Sequence, residues 1–187
     1  MKMKPTSIFI ALVALAVVAC NKDSAKLSAA QTNASLLAGN SGANKIWSLV
    51  TITVSSGGNT MVFSATSSNQ IPACELDNLF QFTNDPAQSY VHSEGATTCH
   101  AGDTNTVEKG SWAFTNDGKT LVVDTQDFIT ADQYNNTNGD EPYISLMLLG
   151  YNGPLTVSSI TSTNMTLAYS LVGSSTTYNI SLAFASK

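Results

Sequence analysis

Large apolar residues alternate with small or polar residues along much of the chain, most clearly in its last two apolar segments. The alternating apolar positions are Met165, Leu167, Tyr169 and Leu171 in one segment, and Tyr178, Ile180, Leu182 and Phe184 in the other. Because successive side chains of a β-strand point to opposite faces, this pattern predicts two strands that each have one apolar face. A sheet of such strands covers its apolar face by closing into a barrel or by packing on a second sheet.

Short apolar runs of the same kind begin at Ile46 and are separated by turn residues. The Ser-Gly-Gly sequence at 56–58 and the Asp-Gly pair at 117–118 are the clearest turns, and Asp-Gly is a strong hairpin signal. No convincing helix interrupts the runs, so they predict an antiparallel all-β domain of about ten strands. The predicted strands are IWSLVTITV, NTMVFSAT, ELDNLFQFT, SYVHSE, GSWAFTND, KTLVVDT, YISLMLLG, LTVSSIT, MTLAYSLV and TYNISLAFA.

The first apolar run of the chain has a different character. Lys2 and Lys4 precede Ile8–Ala19, twelve apolar residues, whereas a transmembrane helix needs roughly 20. A basic start and a short apolar run are typical of a secretory signal peptide. The ending VVAC resembles the lipobox of bacterial lipoproteins. That resemblance implies cleavage before Cys20, acylation of its thiol and amine, and anchoring of the mature protein to a bilayer. An ordinary cleaved signal is the alternative.

The segment after the cleavage site is rich in Ala, Ser and Asn, which predicts a flexible tether. Within it, TNASLLAG predicts a short helix with Thr32 or Asn33 as its N-cap and Gly39 at its end. The predicted organisation is therefore a signal peptide at 1–19, a lipid-anchored tether at 20–44 and a β-domain at 45–187. An asparagine after the lipidated cysteine favours the outer membrane of a bacterial envelope, on its periplasmic or its external face.

The charge of the chain excludes several classes of partner. The formal net charge is −5, and all eight basic residues are lysines. Removal of the signal peptide would leave six lysines against thirteen acidic residues, a net charge of −7. Because arginine is the usual bidentate partner of phosphates and carboxylates, its absence counts against such ligands. An acidic chain without basic patches also counts against nucleic acid.

Two cysteines remain after the lipidation site. Cysteines in an oxidising compartment usually pair, and a bond between Cys74 and Cys99 would close a loop of about 26 residues and add roughly 3 kcal/mol of stability. The alternative is a metal site that combines Cys99 with His100 and His92. No spacing of metal ligands in the sequence supports it, so we predict a disulfide and no metal.

Several segments resemble the lipocalin-like lipoproteins of Bacteroidetes. LLAGNSGANKIWSLVTI is similar to the opening of that family, although the spacer NSGA departs from it. CELDNLFQFTNDPAQSYVHSEGATTC and GSWAFTNDGKTLVV are similar to its cysteine-bounded segment and its Gly-x-Trp hairpin. The resemblance covers most of residues 36–185. It implies an up-and-down antiparallel lipocalin-like barrel of about 8–10 strands with a short N-terminal helix. In that barrel Trp47 opens the first strand, Trp112 lies in the middle hairpin, and Cys74 bridges to Cys99.

The sequence contains no motif of an enzyme. A Gly-x-Ser-x-Gly sequence and a phosphate-binding glycine loop are both absent, so we predict no catalytic residue and no cofactor. We interpret His92 and His100 as non-catalytic. The acidic stretch at 124–142 is interpreted first as a solvated loop, and calcium binding or a cover over a barrel mouth are its alternatives.

Aromatic and methionine side chains are the remaining candidates for a binding site. Tyrosine hydroxyls in an apolar pocket can hold the polar end of a ligand, although the same side chains can simply fill a core. The candidate residues are Phe63, Tyr90, Tyr143, Met147, Met165, Tyr169 and Tyr178. The leading hypothesis is a lipid-anchored barrel that binds a small apolar or amphipathic molecule. The alternative is an envelope interaction or scaffold module with a filled barrel that binds a protein or glycan through its loops.

Overall fold

A computed structural model describes residues 26–67, 69–98, 105–128, 153–173 and 175–187. Several sequence predictions lie outside these residues: the signal peptide, Cys20, Cys99, His100, the strand YISLMLLG with Tyr143 and Met147, and nearly all of the acidic loop. In the described part of the chain, no helix is both long and apolar enough to span a membrane.

Ten strands and two helices make up the described chain. The helices are α1 (Ala29–Ala38) and α2 (Ala73–Leu76). The strands are β1 (Asn44–Ser56), β2 (Asn59–Ser64), β3 (Asn69–Gln70), β4 (Leu79–Thr83), β5 (Ser89–Ser93), β6 (Thr106–Phe114), β7 (Thr120–Phe128), β8 (Leu155–Ile160), β9 (Asn164–Val172) and β10 (Thr177–Ser186).

Eight of the strands form a closed antiparallel barrel. Their order is β1-β4-β5-β6-β7-β8-β9-β10, and β10 pairs back with β1 along most of its length. Strand β1 pairs with β4 through its first residues and with β2 through Thr51–Ser56, so β2 lies outside the ring, and β3 pairs in parallel with β2. The predicted all-β barrel with a short N-terminal helix is confirmed. Closure leaves no open edge in the ring of eight strands.

The two predicted turns are confirmed. Both contain backbone conformations that glycine adopts readily. Gly57 and Gly58 have φ of 56° and 83° between β1 and β2, and Gly118 has φ of 69° between β6 and β7. These left-handed values match the twist of a tight hairpin.

Helix α1 begins earlier than the sequence predicted. Its N-cap is Ser28, whose hydroxyl accepts from the Gln31 backbone N–H at 3.1 Å, while the Gln31 side chain accepts from the Ser28 backbone N–H at 2.9 Å. The prediction of Thr32 or Asn33 as N-cap is wrong, because this reciprocal capping box satisfies two free donors one turn earlier. Gly39 ends the helix with φ of 86°, as predicted.

Helix α1 covers one end of the barrel. Asn33 Nδ2 donates to the carbonyl of Gly118 in the β6–β7 turn, and the indole of Trp47 donates to the carbonyl of Leu37. Lys45 Nζ donates both to the carbonyl of Leu36 and to that of Ser162 in the β8–β9 turn. The helical part of the predicted tether is therefore packed against the barrel. Strands β5 and β9 end, and β6 and β10 begin, at the opposite end.

Helix α2 was not predicted. The residues Ala73–Leu76 form one helical turn after Pro72, and strand β4 begins only at Leu79. The predicted strand ELDNLFQFT is therefore correct only in its second half. Proline at the N-cap cannot donate to a sheet, which favours an interruption of the strand pattern at this point.

Candidate functional site

Three polar side chains lie side by side inside the barrel, near the end of β5 and the start of β6. We call Tyr90, His92 and Glu108 the interior polar cluster; their exposed fractions are 3%, 0% and 1%. His92 is directly opposite Glu108 in the β5–β6 register, and Tyr90 is opposite Gly110. The alternation of β5 directs Tyr90 and His92 to one face, and Glu108 joins them from the neighbouring strand.

Aromatic contacts identify that face as the inner one. The ring of Phe80 on β4 stacks on His92 with centroids 4.2 Å apart, and it meets Phe184 of β10 edge-on at 5.3 Å. Strand β1 lies between β4 and β10 in the ring, so the contact between Phe80 and Phe184 crosses the interior. Phe82 likewise reaches Trp112 across β5, at 6.2 Å. The polar cluster is therefore surrounded by aromatic rings.

Within the cluster, one hydrogen bond is formed. The Tyr90 hydroxyl donates to Glu108 Oε1 at 2.7 Å, a diagonal contact between neighbouring strands. His92 Nδ1 lies 4.0 Å from the same oxygen, which is too long for a hydrogen bond. The Tyr90 hydroxyl therefore already satisfies one carboxylate oxygen, and the imidazole makes no hydrogen bond to it.

Three atoms of the cluster are left without a partner. Among the residues that the structure describes, neither nitrogen of His92 nor Oε2 of Glu108 makes a hydrogen bond. Each unsatisfied buried polar group costs about 1–3 kcal/mol, and buried polar atoms in native proteins are nearly always paired. Three such atoms on two facing side chains are therefore an unusual concentration of unpaired polar groups in the barrel interior.

Burial determines the charge of the cluster. It lowers the pKa of His92 to about 3, so the imidazole is neutral at physiological pH. Burial also raises the pKa of Glu108 to about 7, against a smaller opposing effect of the Tyr90 hydrogen bond. The pKa of Tyr90 is raised as well, by burial first and then by the Glu108 charge. The cluster thus contains a carboxyl group poised between its two forms and no positive charge.

The backbone beside the cluster is tightly packed. A Cβ atom added to Gly110 would lie 2.0 Å from the carbonyl oxygen of Asp124, at a bulge where the β6–β7 register shifts after Lys109. The β5–β6 register also shifts between His92 and Ser93, whose partners on β6 are Glu108 and Thr106. Bulges redirect side chains and increase local twist, and here they flank the segment that carries Glu108.

A second group of buried polar side chains lies around α2 and the end of β5. Asn78 Nδ2 donates to Glu75 Oε2 at 3.2 Å, and both residues are buried, as is Glu94. Asp77 Oδ2 accepts from the Thr97 backbone N–H at 2.9 Å. The Asp77–Thr97 bond joins the segment before β4 to the segment after β5.

Cys74 lies in α2 and takes part in a disulfide. It is the one cysteine among the described residues, so the predicted pairing with Cys99 stays a prediction. The hydrogen bond between Asp77 and Thr97 already places residues near both cysteines next to each other.

The structure separates the predicted ligand-binding residues. Tyr90 belongs to the interior polar cluster, and Met165 and Tyr169 are buried in the barrel core. Phe63 lies on β2 and packs partly against the core, whereas Tyr178 is exposed at the start of β10. Tyr143 and Met147 lie outside the described residues.

The sequence pattern assigns a binding role to neither His92 nor Glu108. The non-catalytic interpretation of His92 stays a prediction, and Glu108 lies outside the predicted strand, which begins at Gly110. The signal was present, since Glu108, Trp112 and Phe114 follow a two-residue period. A carboxylate in phase with two aromatic core residues is a candidate for a buried functional group.

A shallow groove on the outer face of the barrel has a different chemistry. Its volume is about 420 Å³, and it is lined mainly by small uncharged residues: Thr53, Ser55, Pro154, Thr156, Ala168, Ser170, Asn179 and Ser181. Ser170 Oγ and the Asn179 side-chain carbonyl already hydrogen-bond to each other at 2.8 Å. Two of the polar side chains of the groove are therefore already paired with each other.

Metal ligands do not gather in the described ranges. No group of three His, Cys, Asp or Glu side chains with a geometry for a metal ion occurs there.

A scan of the chain against models of protein families found no match, and a search of curated proteins found no similar sequence. The resemblance to lipocalin-like lipoproteins therefore stays a prediction.

Proposed function

We propose that this protein is an envelope lipoprotein with a lipocalin-like barrel that binds a small, mostly apolar molecule in its interior. The observation that carries the proposal is the interior polar cluster, in which His92 and Glu108 present unsatisfied atoms inside an aromatic wall. Ligand sites are mostly apolar and contain a few polar groups that fix orientation. The interior polar cluster together with the aromatic rings around it has this composition.

The architecture of the barrel supports the proposal. Helix α1 closes one end: Asn33 donates to the β6–β7 turn, and the side chains of Lys45 and Trp47 on β1 donate to carbonyls of the helix. The interior polar cluster is near the ends of β5 and β6 that face away from α1. Small barrels of eight strands either fill their interior with side chains or hold one small ligand. A ligand in this barrel would enter from the end opposite α1.

Native mass spectrometry of protein purified from its own host under mild conditions tests ligand binding. We expect a small-molecule mass that dissociates on activation and is removed by solvent extraction. The extracted protein should then bind apolar probes, with a change in the fluorescence of Trp47 and Trp112. Protein that carries no extra mass and binds no probe would contradict the proposal.

The N-terminal sequence supports the proposed location. A lipobox-like VVAC after a short apolar run is the basis for acylation at Cys20. Metabolic labelling with an alkyne-bearing palmitate is expected to label the wild-type chain and not Cys20→Ala, and only the wild type should sediment with membranes. Cys74→Ser is the matched control and should still be labelled. Equal labelling of Cys20→Ala would refute the anchor.

An interaction module is the second candidate, and β2 favours it. Met61 and Val62 are 49% and 42% exposed, and within the described chain the outer edge of β2 pairs with β3 only at Phe63 and Ser64. An exposed strand edge can accept a strand from a partner. A photo-crosslinker at Val62 would capture a specific envelope protein in this case, whereas one at Val172, which is more exposed at 83%, would not.

A further inference from the structure

We propose that the ligand of the barrel carries an amine, and that its ammonium group donates to Glu108 Oε2 and to one nitrogen of His92. This inference rests on the proposed function, since it requires that a ligand enters the interior. It is derived from the number of free donors and acceptors in the cluster and from the charges around it.

When Glu108 is ionised, the free groups of the cluster are mainly acceptors. The Tyr90 hydroxyl uses its hydrogen on Glu108 Oε1, so it cannot donate to a ligand. A neutral imidazole has one acceptor and one donor nitrogen, and Glu108 adds Oε2. An ammonium group has three hydrogens and no lone pair, and it can donate to the free acceptors of both side chains at once.

The surrounding charges exclude an anionic head group. The sequence has no arginine, and no lysine is buried in the part of the chain that the structure describes. A carboxylate or phosphate in the cluster would face Glu108 with no compensating positive charge, which is costly inside a protein. A cation would instead pair with Glu108.

The aromatic wall also favours a cation. The rings of Phe80, Phe82 and Tyr90 are part of the same inner surface, and aromatic faces attract ammonium groups. Charge-assisted hydrogen bonds to a carboxylate are roughly twice as strong as neutral ones. An alcohol of the same shape could hydrogen-bond to the same atoms, but its binding free energy would be less favourable.

Matched probes that differ only in their head group test the inference. Butyl, hexyl and decyl chains, each carried by an amine, an alcohol and a carboxylate, are titrated into the solvent-extracted mature protein by calorimetry at pH 7.5. For the chain length that fits, we expect the amine to bind at least about tenfold more tightly than the alcohol, a difference of about 1.4 kcal/mol. The carboxylate should bind most weakly.

Variants assign the preference to Glu108. In Glu108→Gln the advantage of the amine over the alcohol should fall below about threefold, because a neutral amide cannot pair with a cation. Asp124→Asn removes a negative charge from an exposed position on β7 and should keep the full preference. Near-UV circular dichroism verifies that both variants are folded.

The outcomes separate the inference from the proposed function. Equal or tighter binding of the alcohol or the carboxylate by the wild type would overturn the amine assignment and leave ligand binding intact. An undiminished amine preference in folded Glu108→Gln would also overturn it. If no probe of any length or head group binds, the interior is not a ligand site, and the proposed function itself fails.

Discussion

The indole Nε1–H of Trp47 donates to the backbone carbonyl of Leu37 at 2.8 Å, and both residues are fully buried. This bond joins the first strand of the barrel to the last turn of α1. The carbonyls at the C-terminus of a helix have no partner within the helix, so the indole satisfies one of them where water has no access. The contact is therefore central to how α1 closes the barrel.

Replacement of Trp47 by phenylalanine should be strongly destabilising. It removes the indole donor, leaves the Leu37 carbonyl unsatisfied and opens a small cavity, which together should cost about 2–4 kcal/mol. Urea unfolding followed by circular dichroism measures the loss. Trp112→Phe is the matched control, because its indole makes a longer bond of 3.2 Å to the part-buried Thr83 carbonyl. A larger loss for Trp112→Phe would contradict this ranking.

Lys45 should stabilise the same end of the barrel. Its ammonium group donates to the Leu36 carbonyl at 2.8 Å and to the Ser162 carbonyl at 2.7 Å, and it lies 4.9 Å from the centre of the Trp47 ring. Lys45→Met keeps most of the apolar stem but loses these interactions, so we expect a decrease of about 1–2 kcal/mol in the free energy of unfolding. Lys26→Met, at an exposed position, should change it by less than about 0.5 kcal/mol. Equal effects of the two substitutions would show that Lys45 does not secure α1.

The pH dependence of stability should report on Glu108. Its pKa is raised from 4.5 to about 7 on folding, so the folded state retains a proton that the unfolded state has lost. The contribution of Glu108 to stability is therefore complete below pH 4.5 and is lost as the pH rises to about 7. The unfolding free energy of Glu108→Gln minus that of the wild type should increase by about 3 kcal/mol over this range. Denaturant unfolding at several pH values measures it, and the same difference for Asp124→Asn, at an exposed position, is the control.

His92 should act in the opposite direction. Its pKa is lowered from 6.5 to about 3, so its contribution to stability is complete above pH 6.5 and is lost as the pH falls toward 3. In the wild type, the loss of stability from Glu108 and the gain from His92 cancel as the pH rises from about 4.5 to 6.5. In His92→Phe, where only the Glu108 effect remains, stability should fall as the pH rises through this window. An identical pH profile for His92→Phe and wild type would show that the imidazole is not buried in its neutral form.

Gly110 should tolerate no side chain. Its substitution by alanine would place a Cβ 2.0 Å from the Asp124 carbonyl oxygen, which requires β6 and β7 to move apart at the bulge beside Glu108. We expect a loss of at least about 2 kcal/mol, measured by thermal and urea unfolding. Gly42→Ala has no atom within 4 Å of the added Cβ and only the cost of φ at 81°, about 1 kcal/mol. A milder effect at Gly110 than at Gly42 would contradict the close strand approach.

Local features of the fold were predictable because their causes are local. The apolar alternation of Met165–Leu171 and Tyr178–Phe184 identifies β9 and β10, and the glycines at 57, 58 and 118 form the turns where they were expected. The N-cap of α1 was placed too late, although Ser28 and Gln31 carry the capping-box spacing. Helix α2 was missed because a single turn has no periodicity of its own.

The candidate site was only partly predictable. Tyr90 was among the expected ligand-binding residues, but its partner Glu108 was not, because their contact joins residues 18 positions apart through strand register. Two bulges shift that register, and no sequence pattern specifies their positions. The neutral state of His92 likewise results from its stacking on Phe80 and from burial, both of which depend on the assembled barrel.

The sequence by itself therefore determined the strand periodicity, the glycine turns, the acidic charge and the absence of arginine, since each of these is a property of neighbouring residues or of composition. Only the tertiary structure decided that the sheet closes through β1 and β10 and that α1 covers one end. It also decided that the carboxyl group of Glu108 and the imidazole of His92 face each other inside an aromatic wall, each with atoms that make no hydrogen bond. The physical reason is that ring closure and burial depend on contacts between residues far apart in the chain. Those contacts set the solvent exposure of a side chain and, through it, its charge and its free hydrogen-bonding groups.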